Sequence, residues 1–455
     1  MSSTLSRFKQ MSPQARELLH ALRFPPEATE QVYALVDCNN FYASCERAFD
    51  PKLKDVPIVV LSSNDGCIVA RSNEVKAMGV GMGEPYFKYK EIIEGNNVKV
   101  FSSNFTFYGD MSRRVMSTLM QFAPEMEIYS IDEAFLNLAG CDHLRGKPDL
   151  TEYAREIAAT VRKWTGIPVS VGLAPTKTLG KLANYLAKKK PESGGVMNLL
   201  DRSIRDAALE SAPVGAIWGV GPKSTEYFER IGVKTARALR DLDDEMVLRK
   251  MGAAGLRPLY ELRGFSCSDL DTRLQPSRKR ITSSGSFGRR LKSLSEIKGA
   301  VAGHVAIAAR KLRRQKSATQ ILTVYLLTRS FGQKPTDKSR SFKVRLRRPT
   351  NNSSEIIPYA LKAVETIYEP GSEFRKAGIF VDNFIPEDQV QSLLFRTEQP
   401  GHSRELMQTI DKINRRLGRG TIKYAAQLPA QWTGARCEHA SPRYTTNWDE
   451  LVEVS

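Results

Sequence analysis

The run Val32-Tyr33-Ala34-Leu35-Val36 is apolar, of strand length, and ends on one carboxylate, Asp37. The order of elements after it narrows the fold more than any other feature. Tyr108, Met111, Val115, Leu119 and Phe122 recur at spacings of three and four, an amphipathic helix stopped by Pro124. Two short strands are expected next, Glu127–Ser130 and Glu133–Leu138, with the Asp132-Glu133 pair at their junction. Tyr153, Ile157, Val161 and Trp164 mark a second helix, ended by Gly166, and Pro168 precedes a last strand, Val169–Leu173. Strand, helix, strand, strand, helix, strand is the split βαβ, ferredoxin-like order. It predicts a mixed α/β (α+β) fold with an insertion at residues 41–104.

In that order Asp37 and Asp132-Glu133 can meet at one sheet edge. Taken singly, such carboxylates are usually solvated turn residues or helix caps. Three converging carboxylates instead suit Mg²⁺, which takes a few carboxylate oxygens and keeps sites for water and phosphate. Phosphoryl transfer needs that kind of charge neutralisation. A carbonyl near Cys38 can add one oxygen.

With 455 residues, three or four domains are expected. The 68 Lys and Arg against 50 Asp and Glu leave a net charge of +18, which favours a nucleic-acid partner over a membrane. No apolar run approaches membrane-spanning length, and the N-terminus lacks the pattern of a secretion signal, so a cytoplasmic location is expected. The cysteines at 38, 45, 67, 141, 267 and 437 contain no CxxC pair, which argues against zinc and fits reduced thiols.

Four stretches carry a resemblance: ALVDCNNFYASCE (34–46), SSNDGCIVARSNEVKAMGVGMGEPYFK (62–88), YSIDEAFLNL (129–138) and VSVGLAPTKTLGKLAN (169–184). They resemble the motifs of Y-family DNA polymerases, most closely the UmuC-like branch, over about residues 32–455. The resemblance implies a multidomain right hand with a ferredoxin-like palm (32–40 and 105–198), small fingers (41–104) and a helix-hairpin-helix thumb (199–267). A little finger (283–385) and a partner-binding tail (386–455) complete the implied chain. Residues 1–31 are an extension that departs from the pattern.

The implied activity is error-prone, DNA-directed synthesis past lesions in the SOS response, without proofreading, using two Mg²⁺ ions. Asp37, Asp132 and Glu133 would be the catalytic metal ligands, with the Cys38 carbonyl beside them. Tyr42 matches the aromatic gate that excludes a ribose 2′-hydroxyl; its neighbour Phe41 reads equally as a core ring. Lys76 and Lys177 match phosphate-contacting cations. Asn73 stands where many members carry a phosphate-binding Tyr, and Arg71 is a candidate for the nascent base pair.

The thumb stretch VGPKSTEYFERIGVKTARAL (220–239) would offer Gly221 and Lys223 to DNA phosphates without reading bases. Arg289, Arg290, Arg310, Arg313 and Arg314 are the corresponding little-finger candidates, and their contacts would be salt-sensitive. Gln391-Ser392-Leu393-Leu394-Phe395 resembles a sliding-clamp peptide, anchored by Gln391, Leu394 and Phe395. The tail also resembles the region that engages a UmuD-type accessory dimer and RecA. Two rival readings are a non-enzymatic DNA-binding subunit on the same fold and a two-metal nuclease or nucleotide cyclase. The complete carboxylate set speaks against the first, Tyr42, Lys177 and the little finger against the second.

Overall fold

The structure is a computed structural model. It describes residues 31–141, 149–272, 278–328, 339–391, 400–418, 420–428 and 437–451. Two compact units emerge, one from residues 1–274 with 438–455, the other from 275–437.

In the first unit β1 (Tyr33–Cys38) leads into α1 (Phe41–Phe49). The inserted layer comprises β2 (Ile58–Leu61), β3 (Ile68–Arg71), α2 (Asn73–Ala77), α3 (Lys90–Gly95) and β4 (Lys99–Ser102). The chain returns through α4 (Phe105–Leu119), β5 (Glu125–Ile128), β6 (Glu133–Asn137), α5 (Leu150–Thr165), β7 (Val169–Ala174), α6 (Lys177–Lys189) and β8 (Val196–Asn198). The main sheet has the order β5-β6-β1-β7-β8, with β1 antiparallel to both neighbours. This is the expected split βαβ sheet with one further strand, β8, parallel to β7.

Both faces of β1 are covered, which explains why YALVDC shows no polar alternation. Ala34 and Val36 pack with α4 and α5 residues such as Met111, Val115, Ile157 and Val161. The opposite face receives α6. Its close approach depends on Gly172 of β7: a Cβ there would stand 2.4 Å from the Asn184 nitrogen and 2.4 Å from the Gly180 oxygen. Contacts that short against backbone cannot be relieved by rotating a side chain. The helix start is fixed twice, by the Thr176 hydroxyl capping Leu179 N and by the buried Glu261 carboxylate, which accepts from Thr178 N at 2.7 Å.

The three-stranded sheet β3-β2-β4 forms the insertion, with its own core of Val59, Leu61, Ile68, Val75 and Ile93. The expected boundary at 41 needs correcting. Phe41, Ala43 and Cys45 of α1 belong to the main-sheet core, because the helix buries its apolar side there. The short strand expected at 127–130 lies at 125–128, since Ser130 is taken up in the turn before β6.

Helices α7 (Arg202–Ser211), α8 (Pro222–Arg230), α9 (Ala236–Arg240), α10 (Asp244–Met251) and α11 (Ala253–Leu262) complete this part of the unit. Gly221 is the N-cap of α8, and Gly232, at φ 86°, turns the chain away after it.

The second unit contains β9 (Arg280–Leu291), α12 (Leu294–Arg314), β10 (Ser317–Leu327), β11 (Ser339–Thr350), α13 (Ser353–Ile367) and β12 (Phe374–Pro386). Its antiparallel sheet runs β11-β10-β12-β9, and both helices contribute to one core with it. A further helix, α14 (Pro400–Arg416), comes after the sheet. The tail expected as one region at 386–455 is divided: 438–455 belong to the first unit.

Candidate active site

Register brings the expected carboxylates together. Asp37 of β1 lies directly opposite Glu133 of β6, and Cys38 N donates to the Asp132 carbonyl at 2.9 Å. Ser130 Oγ holds the turn, donating to Asp132 Oδ1 at 2.6 Å and accepting from Glu133 N at 3.1 Å. Alternation along the strands sends Asp37, Glu133 and Glu127 to the face that α6 covers.

On α6, Lys177, Lys181, Asn184 and Lys188 share one stripe, at i, i+4, i+7 and i+11. Lys188 Nζ meets Asp37 Oδ1 at 2.5 Å, and Lys181 Nζ meets Glu133 Oε1 at 3.1 Å. Lys181 also lies over the Tyr129 ring at 4.3 Å. Asn184 donates to the Ser170 carbonyl at 2.8 Å, closing the helix onto the sheet. Burial pushes the Asp37 carboxyl up to about 6; Lys188 pulls it down, while Glu133 and Asp132 push it up. Among the described residues no three His, Cys, Asp or Glu side chains converge as a ready-made metal cage. The backbone assembles the carboxylates, and lysines hold two of them.

A cavity of about 400 Å³ opens beside this edge. Asp37, Cys38 and Asp132 form one wall, and Arg71, Lys76 and Lys188 supply cations around it. Lys76 Nζ donates to Asn40 Oδ1 at 2.5 Å, and Asn40 Nδ2 donates to Asn73 Oδ1 at 3.0 Å. Asn40 sits in the left-handed region at φ 49°, which Asn tolerates better than most residues. Partial burial, then the like charges of Arg71 and Lys188, hold the Lys76 ammonium below its ordinary value. Arg71 Nε is buried with no hydrogen-bond partner among the described residues. Cations that crowd one another beside an unsatisfied guanidinium nitrogen make a place suited to an anion.

Tyr42 borders the same cavity and stacks on Tyr108, with ring centroids 4.4 Å apart and planes at 14°. Phe41 is a core ring, 4% exposed, that only borders the cavity. Below them lies Glu46 of α1, fully buried, whose Oε1 accepts from Tyr108 Oη at 2.6 Å and from Ser441 Oγ at 3.0 Å.

Two expectations need correcting. Lys177 does not line the cavity. It is the first residue of α6, and its chain lies back over the sheet, donating to Glu127 Oε2 and the Asp269 carbonyl, each at 2.6 Å. Arg313 is unavailable to DNA: its guanidinium is nearly buried, pairs with both oxygens of Asp411 at 2.7 and 2.8 Å, and donates to the Asn351 carbonyl.

Other positions keep their exposure. Lys223 is exposed at the start of α8. Arg289 pairs with Glu296 and Arg290 with Glu373, both arginines on the surface of edge strand β9. Arg314 is exposed, and Arg310 half-buried, on α12. Gln391 is exposed, while Leu394 and Phe395 lie outside the described residues. Sequence reasoning does not single out Lys181, Lys188 or Asn40. For the lysines a signal exists in the sequence: cations on the one α6 stripe that also carries a buried Asn184.

The sheet, the carboxylate edge and the neighbouring cation-lined cavity define a nucleotidyl-transfer polymerase of the Y-family type. Models described as the impB/mucB/samB family and its C-terminal domain match residues 36–185 and 278–394; a domain of unknown function, DUF4113, matches 404–454. The chain is 40% identical to protein UmuC of Salmonella typhimurium over 427 residues, covering 93% of this chain and 100% of that protein. Similarity extends to DNA polymerase IV 1 of Mesorhizobium japonicum, 29% identical over 80% of this chain and 79% of that one. A solved Y-family polymerase chimera, Dbh-Dpo4(243-245)-Dbh, shares the fold at a TM-score of 0.63 and 20% identity, over 78% of this chain and 99% of its own. The chain belongs to the impB/mucB/samB family of UmuC-like proteins. It is an error-prone DNA-directed DNA polymerase of the translesion, SOS-response kind. Among the described residues no helix is long and apolar enough to cross a membrane.

Glu46 gives a pH test of this architecture. Burial pushes its carboxyl up to about 7 against the pull of the two hydroxyls. A raised carboxyl favours the folded state while protonated, and that contribution is lost as pH rises from about 4.5 through about 7. Glu46→Gln is therefore expected to be more stable than wild type at pH 8.5, by up to about 3 kcal/mol, and to lose that advantage at pH 5. Denaturant melts at the two pH values measure it; equal differences at both would refute the assignment.

Proposed function

We propose that Asp37, Asp132 and Glu133, with the Cys38 carbonyl, hold two Mg²⁺ ions at the edge of the main sheet. The observation that carries this reading is the cavity lined by Asp37 and Asp132 together with Arg71, Lys76, Lys188 and Tyr42, with Glu133 directly opposite Asp37 in the sheet register. The donor set fits: hard carboxylate oxygens at the end of β1 and at the turn into β6 are what a small divalent cation neutralises. The ions supply charge neutralisation at the attacking and leaving oxygens.

The chain's own residues do the remaining work. Asn40 and Asn73 position Lys76, and Arg71 supplies an unpaired N–H, so the triphosphate of a dNTP is received by cations and amides together. The Tyr42 ring lies beneath the sugar, backed by Tyr108. The primer 3′-hydroxyl oxygen bonds to the α-phosphorus as pyrophosphate departs. Lys188 and Lys181 keep Asp37 and Glu133 oriented and partly neutralised until substrate arrives.

Gly221, Lys223, Arg289, Arg290, Arg310 and Arg314 form the proposed contacts to template and primer phosphates, salt-sensitive and indifferent to sequence. Gln391, Leu394 and Phe395 are proposed as the sliding-clamp peptide. A UmuD-type accessory dimer and RecA are the partners to which the likeness of the tail points; co-purification with each tests that.

Asp132→Asn and Glu133→Gln are each expected to reduce Mg²⁺-dependent primer extension by orders of magnitude while DNA binding survives; normal extension by both folded variants would remove the catalytic assignment. Tyr42→Ala is expected to raise incorporation of rNTP relative to dNTP opposite an undamaged template, and an unchanged ratio in an active variant counts against the gate. Replacing Leu394 and Phe395 together by Ala is expected to weaken clamp binding by roughly 2–4 kcal/mol with short-template extension intact. A stable double variant that binds the clamp normally would refute that site.

A further inference from the structure

Residues 438–444 cross the first unit and are tied to the insertion sheet and to helices α1 and α4 of the main-sheet core. The anchor on the insertion side is Asp65, in the SSNDGC stretch, held at φ 52°. Its Oδ2 accepts from Ser102 Oγ at 2.9 Å and from Glu438 N at 2.8 Å. Ser102 of β4 and His439 then bond reciprocally, Ser102 N to the His439 carbonyl at 2.8 Å and His439 N to Ser102 Oγ at 3.0 Å. Asn104 caps α4 through Phe107 N, and its amide nitrogen donates to Ser441 Oγ at 3.1 Å and the Pro442 carbonyl at 3.2 Å. Tyr444 is buried in the main core, its ring 5.2 Å from both Phe49 and Phe107. Arg443 just before it and Asn447 beyond it both donate to Glu450 and close the tail on itself.

The segment reaches the proposed nucleotide site through one short relay. Ser441 Oγ donates to Glu46 Oε1, which also accepts the Tyr108 hydroxyl, and Tyr108 is the ring on which Tyr42 stacks. All three members of the relay below Tyr42 are buried. A buried carboxylate oxygen that accepts two hydroxyls fixes both, because losing either strands a polar group away from water.

We infer that residues 438–444 are a strap that sets the position of the Tyr42 gate, so that Ser441 is a positioning residue for discrimination between deoxyribose and ribose. The inference rests on the reading of Tyr42 as that gate. It gives a role to two parts of the chain that the polymerase motifs leave without one: Asp65 of the SSNDGC loop and the end of the segment matched only as a domain of unknown function. The insertion sheet and helices α1 and α4 of the main-sheet core both contribute to the seat, so the strap also fixes the spacing of the insertion from the main sheet, and with it the distance from Lys76 to Asp37.

The test compares rNTP and dNTP incorporation by full-length variants. Ser441→Ala is expected to raise the ribonucleotide ratio by about three- to tenfold, the range for one lost hydrogen bond, while dNTP incorporation stays near wild type. Ser441→Thr, which keeps the hydroxyl, is expected to restore the ratio. In a Tyr42→Ala background Ser441→Ala is expected to add nothing. If Tyr42→Ala relaxes discrimination and folded Ser441→Ala does not, the strap inference is overturned and the gate stands. If Tyr42→Ala itself changes nothing, the gate falls, and with it the strap's role in sugar selection. The seat is then judged alone by amide hydrogen exchange: faster exchange at Phe105–Tyr108 in Ser441→Ala, reversed in Ser441→Thr, sustains it, and unchanged exchange removes it. Should Ser441→Ala fold poorly, His439→Pro removes the N–H given to Ser102 from an exposed position, with the same expected rise in ratio; an unchanged ratio there is equally adverse.

Discussion

The first unit depends on how closely α6 can lie against the sheet. Gly172 leaves room for backbone where any Cβ would collide with Asn184 and Gly180. That approach turns one stripe of the helix, Lys177, Lys181, Asn184 and Lys188, into the ceiling over Glu127, Glu133 and Asp37. Without it three acidic groups would sit at a largely dry sheet edge with nothing to balance them. A lone buried carboxylate is costly enough to reprotonate, whereas a paired one keeps its charge. The lysines thus make a concentration of negative charge compatible with folding.

The three pairs differ in depth, and this sorts structure from chemistry. Lys177 and Glu127 are both nearly buried, and Lys177 also serves the Asp269 carbonyl, so this pair acts as a fixed joint. Lys188 is about a third exposed at the other end, beside the cavity and Asp37. A pair open to water gives up its partner at lower cost than a buried one. The graded burial along a single helix therefore leaves the sheet anchored at one end and responsive at the other. The Glu261 carboxylate at the start of α6 extends the anchored end into the α11 helix.

A second buried acid, Glu46, does related work on the opposite side of β1. Among the described residues no lysine pairs with it, and hydroxyls of Tyr108 and Ser441 serve it instead. Hydroxyls do not neutralise charge, which is why its carboxyl is pushed up to about 7 while the lysine-paired Asp37, also raised, remains near 6. The same fold thus holds one acid poised for cations and another that ties rings and backbone together.

The sequence by itself determined the ferredoxin-like order, the meeting of Asp37 with Asp132-Glu133 and the second α/β unit. Those features come from local periodicity and from Gly and Pro stops. Motif likeness likewise pointed to Tyr42 and Lys76, and both border the cavity. Only the tertiary structure decided which lysine of α6 faces the cavity, because the answer depends on how the helix crosses the sheet. It also decided that Arg313 is consumed by Asp411, 98 residues away in the chain. The return of residues 438–444 to Asp65, Ser102 and Glu46 is the extreme case. Those bonds join residues more than three hundred positions apart, and neither propensity nor spacing carries information across such a gap; complementary donors and acceptors meet there only after both sheets have formed.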